Sequence, residues 1–138
     1  MLDPSTDFGA RATQRLNEEI IGWLTTVSPS GQPQPVPVWF LWDGGESILL
    51  YSKPDKPKLS NIERSPRVSL HLDGNGLGGD VVVVLGSARV TDDPPANEVA
   101  EYVEKYGSRI AALNWTPATF ATDYSVPLRI DVSRISGW

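Results

Sequence analysis

Apolar residues recur along this chain at two spacings, and the switch between them marks out its elements. An alternation of period two, or a short unbroken apolar run, covers Ile20–Ser28, Gln34–Trp42, Ser47–Ser52, Arg67–Asp73, Val81–Val90 and Ser125 to about Ile135. These segments are predicted as strands. The turn sequences Pro29-Ser30-Gly31 and Asp43-Gly44-Gly45 separate the first three, which are therefore expected to form a meander. Helical spacing appears in Phe8, Ala12, Arg15 and Leu16, predicting a first helix from Phe8 to Asn17 with Asp7 as its cap. Pro57–Arg64 reads as a second, short helix. Val99, Tyr102, Val103 and Tyr106 predict a third, with Asp93 as cap, Pro94 or Pro95 near the first turn, a Glu101 to Lys105 pair and Gly107 as the stop. A fourth begins at Thr116-Pro117. Six strands with short helices at their connections suggest a mainly β domain, a split antiparallel barrel with helical plugs whose closure removes free edges. An open α+β sandwich is the alternative. No repeat or linker divides the chain, so residues 1–138 are read as one domain.

Within the second strand, Pro33, Pro35 and Pro37 alternate with Gln34, Val36 and Val38. Successive N–H groups in a strand point to opposite edges, so these prolines remove donors from one edge and leave the other able to pair. Such an edge protects against aggregation, or it lines a groove in which a flat ring lies against Pro35, Val36, Pro37 and Val38. The next aromatic residues divide by alternation: Phe40 and Trp42 share one face, and Trp39 takes the other.

Composition narrows the chemistry. The net charge is −5, which argues against general attraction to nucleic acid or anionic lipid. There is no cysteine and only one histidine, His71, so thiol catalysis and a zinc centre are excluded. The first residues lack a signal pattern and no apolar run reaches membrane-spanning length; the expectation is a soluble, cytoplasmic protein. Gly74-Asn75-Gly76-Leu77-Gly78-Gly79 fits a dinucleotide-binding pattern literally, but a strand follows it rather than a helix, so it reads as a hairpin loop. Ser69, His71 and Asp73 share the polar face of their strand, and solvation explains them. Glu18, Glu19, Asp92 and Asp93 are explained by capping.

Against this acidic background three of the four lysines, Lys53, Lys56 and Lys58, fall within eight residues. They follow the strand ending at Ser52 and lead into the helix that starts at Pro57. A hydroxyl, ammonium groups and a helix start with free donors describe an anion site, phosphate above all. A solvated loop is the competing explanation.

Thr25–Pro33, Pro37–Phe40, Leu50–Lys58 and Asn61–Val68 follow one another as successive landmarks. In that order they resemble the split β-barrel flavin and deazaflavin proteins related to pyridoxamine 5′-phosphate oxidase, more closely the coenzyme F420-dependent branch. In the oxidase branch the corresponding loop carries Ser-Arg-Lys; here Lys56, Pro57 and Lys58 stand at those positions, and the arginine is absent. The resemblance implies a homodimer with a cofactor groove at each subunit interface. It implies F420 as cofactor, with FMN as the alternative. Ser52, Lys53, Lys56 and Lys58 would hold the phosphate, Pro35 to Val38 the ring, and Trp39 would wall the substrate pocket. The implied activity is hydride transfer from reduced deazaflavin to a conjugated small-molecule acceptor. A non-catalytic cofactor binder and an FMN-dependent oxidase are the other readings. Because a hydride moves directly, no catalytic acid is assigned; Tyr124, His71 and Arg129 are read as structural.

Overall fold

Gly31, at φ 86°, turns the chain between β1 (Gly22–Val27) and β2 (Pro33–Val38), which pair from Gly22↔Val38 to Val27↔Pro33. In this register Gln34, Val36 and Val38 face β1, and the prolines lie along the outer side of a sheet edge. The computed structural model describes residues 1–138. β3 (Leu41–Trp42), β4 (Ser47–Ser52), β5 (Arg67–Leu72), β6 (Val82–Val90) and β7 (Val126–Gly137) complete one sheet. Its order is β2-β1-β5-β6-β7-β4-β3, and every pairing is antiparallel.

That order corrects the predicted meander. β4 does not pair with β2; it pairs with β7 over its whole length, because the long final strand offers β4 a continuous partner that β2's proline edge does not. The predicted Gln34–Trp42 strand is also broken, at Trp39-Phe40. Those two residues connect the two edge strands, β2 and β3, so the sheet curls until its edges meet without hydrogen-bonding. The result is a split barrel, and its edges persist where full closure had been expected to abolish them. Gly86 sits at a bulge between β6 and β7, where a Cβ would come within 2.3 Å of the Asp131 carbonyl oxygen.

The barrel interior holds Leu24, Phe40, Ile48, Leu50, Leu70, Val84, Leu128 and Ile130, covered by Ala12 and Leu16 of α1 (Asp7–Glu18) and Ile62 of α2 (Pro57–Arg64). β4 is buried on both faces, which explains its unbroken apolar run. Ile48 and Leu50 enter the barrel, whereas Leu49 and Tyr51 pack outward beneath α3 (Ala100–Ala112) and α4 (Pro117–Asp123). Phe40 and Trp42 join the barrel core and Trp39 the outer cluster, as the alternation predicted.

Several predicted caps shift. Thr6, not Asp7, caps α1 by accepting the Gly9 N–H. Asp93 caps no helix; it accepts three hydrogen bonds from Arg129 of β7, while a separate 3₁₀ turn at Ala96–Glu98 leads into α3. Glu19 is the C-cap residue of α1, as expected, and its carboxylate pairs with Arg15. Gly107 does not stop α3, since its backbone remains helical and a Cβ there would meet only Val103 at 3.7 Å. Lys105 makes no ion pair with Glu101; its ammonium instead donates to the Phe40 carbonyl at 2.8 Å. No helix is long and apolar enough to cross a membrane.

Candidate functional site

The lysine loop leaves β4 at Ser52 and reverses at Asp55, whose φ of 63° is left-handed, before Pro57 opens α2. Proline suits this position, where an N–H would find no helical partner. Lys56 is the N-cap residue and supplies no side-chain hydrogen bond to the first turn. Pro57 has no N–H and the Leu59 N–H donates to the Lys56 carbonyl at 3.0 Å, so the Lys58 amide is the one the first turn leaves free, at the positive end of the helix dipole.

A cleft of about 270 Å³ lies there, lined by Thr26, Gln34, Val36, Lys56, Pro57, Lys58 and Asn61. Its floor is ordered by Asn61, whose side-chain amide donates to Thr26 Oγ1 at 3.0 Å and Gln34 Oε1 at 2.9 Å. Arg64 in turn donates to Asn61 Oδ1 at 3.1 Å. α2 is thus tied to β1 and β2, and Lys58 is held at a fixed place between them.

Burial and, after it, the nearby Lys56 hold the Lys58 ammonium below the ordinary lysine pKa. Neither lysine has an acidic partner, and the ion pairs of the chain lie elsewhere. Two uncompensated cations next to a free backbone amide form a site that a phosphate dianion would relieve.

Beyond Lys58 the cleft meets a second cavity, about 210 Å³, walled by Pro37, Val38, Trp39, Tyr51, Lys58, Tyr102, Trp115, Phe120 and Tyr124. Trp39 is clamped by stacking on Tyr106 at 4.6 Å and Phe120 at 5.3 Å, and Phe120 stacks on Tyr124 at 4.6 Å. Lys58 and strand β2 are common to both spaces: Val36 lines the first, and Pro37 and Val38 the second. A larger, more open depression of about 980 Å³ lies between α2 and β6. Its cations, Lys56 and Arg89, are matched by Asp55 and Glu63, and it has no aromatic ring, so it lacks both the excess positive charge of the first space and the aromatic walls of the second.

The structure brings together Val36, Pro37, Val38, Trp39, Lys56 and Lys58 from the sequence-predicted set. It leaves the other three aside. Pro35 is exposed on the outer edge, and the buried Ser52 hydroxyl donates to the Lys53 carbonyl at 2.8 Å. Lys53 reaches over the Tyr124 ring at 5.5 Å, at the rim of the aromatic cavity. Arg129 is structural, bound to Asp93 and Ser47. His71 is exposed on β5.

Sequence reasoning missed Thr26, Gln34, Asn61, Tyr102, Trp115 and Phe120. Thr26 did carry a signal: with Gly22 and Leu24 it belongs to the inward face of β1, where a hydroxyl needs a partner.

A curled antiparallel sheet with a basic cleft at α2 and an aromatic cavity along an edge strand defines a split-barrel protein of the flavin-binding, oxidoreductase type. The family model described as pyridoxamine 5′-phosphate oxidase matches residues 8–138, and the chain belongs to that family. Among solved structures it is similar to the conserved hypothetical protein Rv2991 from Mycobacterium tuberculosis, with 27% identity, TM-score 0.71, and coverage of 94% of this chain and 82% of that one. An F420 reductase aligns at 26% identity and TM-score 0.67, over 89% of this chain and 94% of the other. General stress protein 26 from Bacillus anthracis str. Sterne shares the fold at 20% identity and TM-score 0.64, covering 91% and 89%. No curated protein sequence matches the chain.

Proposed function

We propose that this protein is an F420H2-dependent oxidoreductase that reduces a conjugated or unsaturated small molecule, acting as a homodimer with a cofactor groove at each subunit interface. The observation that carries the reading is Lys58: an ammonium without an acidic partner stands where a polar, basic cleft meets an aromatic cavity. A ligand with phosphate at one end and a flat ring at the other fits that sequence of surfaces. The similarity to an F420 reductase supports the choice of deazaflavin. So does Pro57, which stands where the oxidase branch has its phosphate-gripping arginine.

When bound, the reduced deazaflavin supplies the hydride. The chain's own residues supply position: Lys56, Lys58 and the first turn of α2 hold the phosphate, with Ser52 and Lys53 shaping the loop behind them. The Pro35–Val38 edge, with no neighbouring strand, lies along the ring, and Trp39 walls the pocket in which the acceptor sits. Alignment of two planes and exclusion of water are the main catalytic requirements of direct hydride transfer. Titrating the protein with reduced F420 and with FMN in parallel tests the assignment. Tighter binding of F420 is expected, and preference for FMN, or binding of neither, overturns it. Oxidation of the bound cofactor on addition of a quinone panel separates a reductase from a protein that merely sequesters the cofactor.

A further inference from the structure

Tyr102 is only 1% exposed, and its hydroxyl has no hydrogen-bond partner in the protein. Its neighbours do not share this condition. Tyr51 donates to the Pro94 carbonyl at 2.6 Å, and Tyr106 is bonded at both Ile20 and Phe40. A buried hydroxyl left unsatisfied is costly, by roughly 1–3 kcal/mol, and a folded protein retains one mainly where water or a ligand completes it. Tyr102 is also a wall of the aromatic cavity, whose lining is mainly aromatic and aliphatic. Its other polar groups are Lys58, the indole N–H groups of Trp39 and Trp115, and the Tyr51 and Tyr124 phenols, of which Tyr51 is already committed to Pro94.

We propose that Tyr102 is the buried hydrogen-bond donor of an acceptor pocket that selects small, flat, conjugated molecules carrying a carbonyl-type oxygen at their inner end. This rests on the reading of the aromatic cavity as the substrate side of the site. The walls set the character of the guest: Trp39, Phe120 and Tyr124 stack on one another in one continuous series and, with Trp115, bound the cavity with rigid aromatic surface. The size follows from the volume of about 210 Å³, below the ~300–1,000 Å³ of pockets for drug-sized ligands. One or two fused rings are accommodated. The polarity follows from the phenol itself. Burial, then the neighbouring Tyr106, Tyr51 and Tyr124, raise its pKa far above the ordinary tyrosine value, so Tyr102 stays protonated and serves as a donor. A carbonyl oxygen that gains electron density during reduction would tighten this bond.

The test uses the full-length protein without cofactor, so that it succeeds or fails independently of the F420 assignment. Coumarin, a flat bicycle with one carbonyl, and naphthalene, its hydrocarbon counterpart, are titrated while the indole N–H resonances of Trp39 and Trp115 are followed by NMR. Coumarin is expected to shift both resonances and to bind roughly 5–10-fold more weakly to Tyr102→Phe, the loss of about one hydrogen bond. Naphthalene affinity should be unchanged or higher in the variant. Tyr102→Phe should also melt at or above the wild-type temperature, because the oxygen it loses bonds to nothing in the protein. Equal coumarin affinity in both proteins, no shift at Trp39 and Trp115, or a clearly lowered melting temperature would each overturn the proposal.

Discussion

Lys58 combines three physical conditions that rarely coincide on one side chain. It is half-buried, it neighbours a second lysine, and it sits in the first turn of a helix whose dipole is positive at that end. Each of these disfavours its charge, and the attraction of a bound dianion would offset them. Lys58→Ala should therefore weaken cofactor binding by about 10–100-fold, corresponding to ~1.5–3 kcal/mol for a hydrogen bond to a charged group. Unchanged affinity in a direct titration would remove Lys58 from the anion site. The pH dependence has a definite sign. Because the Lys58 pKa lies below the ordinary lysine value, its charge is lost at lower pH than an exposed lysine's, and affinity should fall as pH rises through that depressed pKa. Lys58→Arg keeps its proton across the alkaline range. Titrations from neutral to alkaline pH should then give a flatter profile for the arginine variant; an identical slope would place the titrating group elsewhere. At this scale the sequence was informative because cation density is visible without knowing the fold. Thr26, Gln34 and Asn61 were not legible as a group, since their contact joins residues 27 and 35 positions apart.

The element that completes the barrel is α3, which bridges the seam between β2 and β3 from outside. The Phe40 N–H donates to Tyr106 Oη at 2.8 Å, and the same hydroxyl lies 2.8 Å from the Ile20 carbonyl and 3.0 Å from that of Phe40. Lys105 adds a hydrogen bond to the Phe40 carbonyl and lies 3.9 Å from its ring centroid. Phe40, as a connector between two unpaired edges, thus finds in a helix the partners that a neighbouring strand would have supplied. Tyr106→Phe strands the Phe40 N–H in the core and should cost about 1–3 kcal/mol, read as a lower urea midpoint at unchanged slope. No loss would mean that the seam is held by packing alone. Lys105 gives this brace its own pH signature. Burial, opposed by Glu19, lowers its pKa from 10.5 to about 8, so between these values the unfolded chain binds more protons than the folded one. Stability should rise with pH across that window, and Lys105→Met should flatten the rise to the share that the lowered Lys58 pKa contributes. The proline alternation of β2 and Pro57 at the start of α2 were readable in advance because proline's constraint is local. The pairing of β4 with β7 was not, because period two tells which face of a strand is buried and says nothing of which strand lies beside it. The start of α3 was obscured for a related reason: Val99 caps it without any side-chain hydrogen bond, while Asp93, which looked like a cap, is drawn away by Arg129.

At the scale of the whole molecule, the cleft and the cavity together are small for a tricyclic cofactor with a phosphate and an acidic tail. Their volumes are about 270 and 210 Å³, and both open beside the exposed edge of β2. That edge presents carbonyls but few donors, so another strand cannot extend the sheet there. A second subunit can nevertheless approach it through side chains, closing the groove over a ring laid against Pro37 and Val38. The charge distribution favours this arrangement: a chain of net charge −5 keeps most of its lysines at one loop, so a bound phosphate and acidic tail neutralise the part of the surface where self-repulsion between cations is greatest. If the groove is completed between two copies, cofactor affinity must be linked to dimerisation, and each must strengthen the other by the same factor. Sedimentation velocity should show a dimer whose dissociation is suppressed by reduced F420, and cofactor affinity should decline as the protein is diluted below the dimer's dissociation constant. A monomer that binds the cofactor with undiminished affinity would show that one chain encloses the ring unaided, and the partner would then have no part in the site.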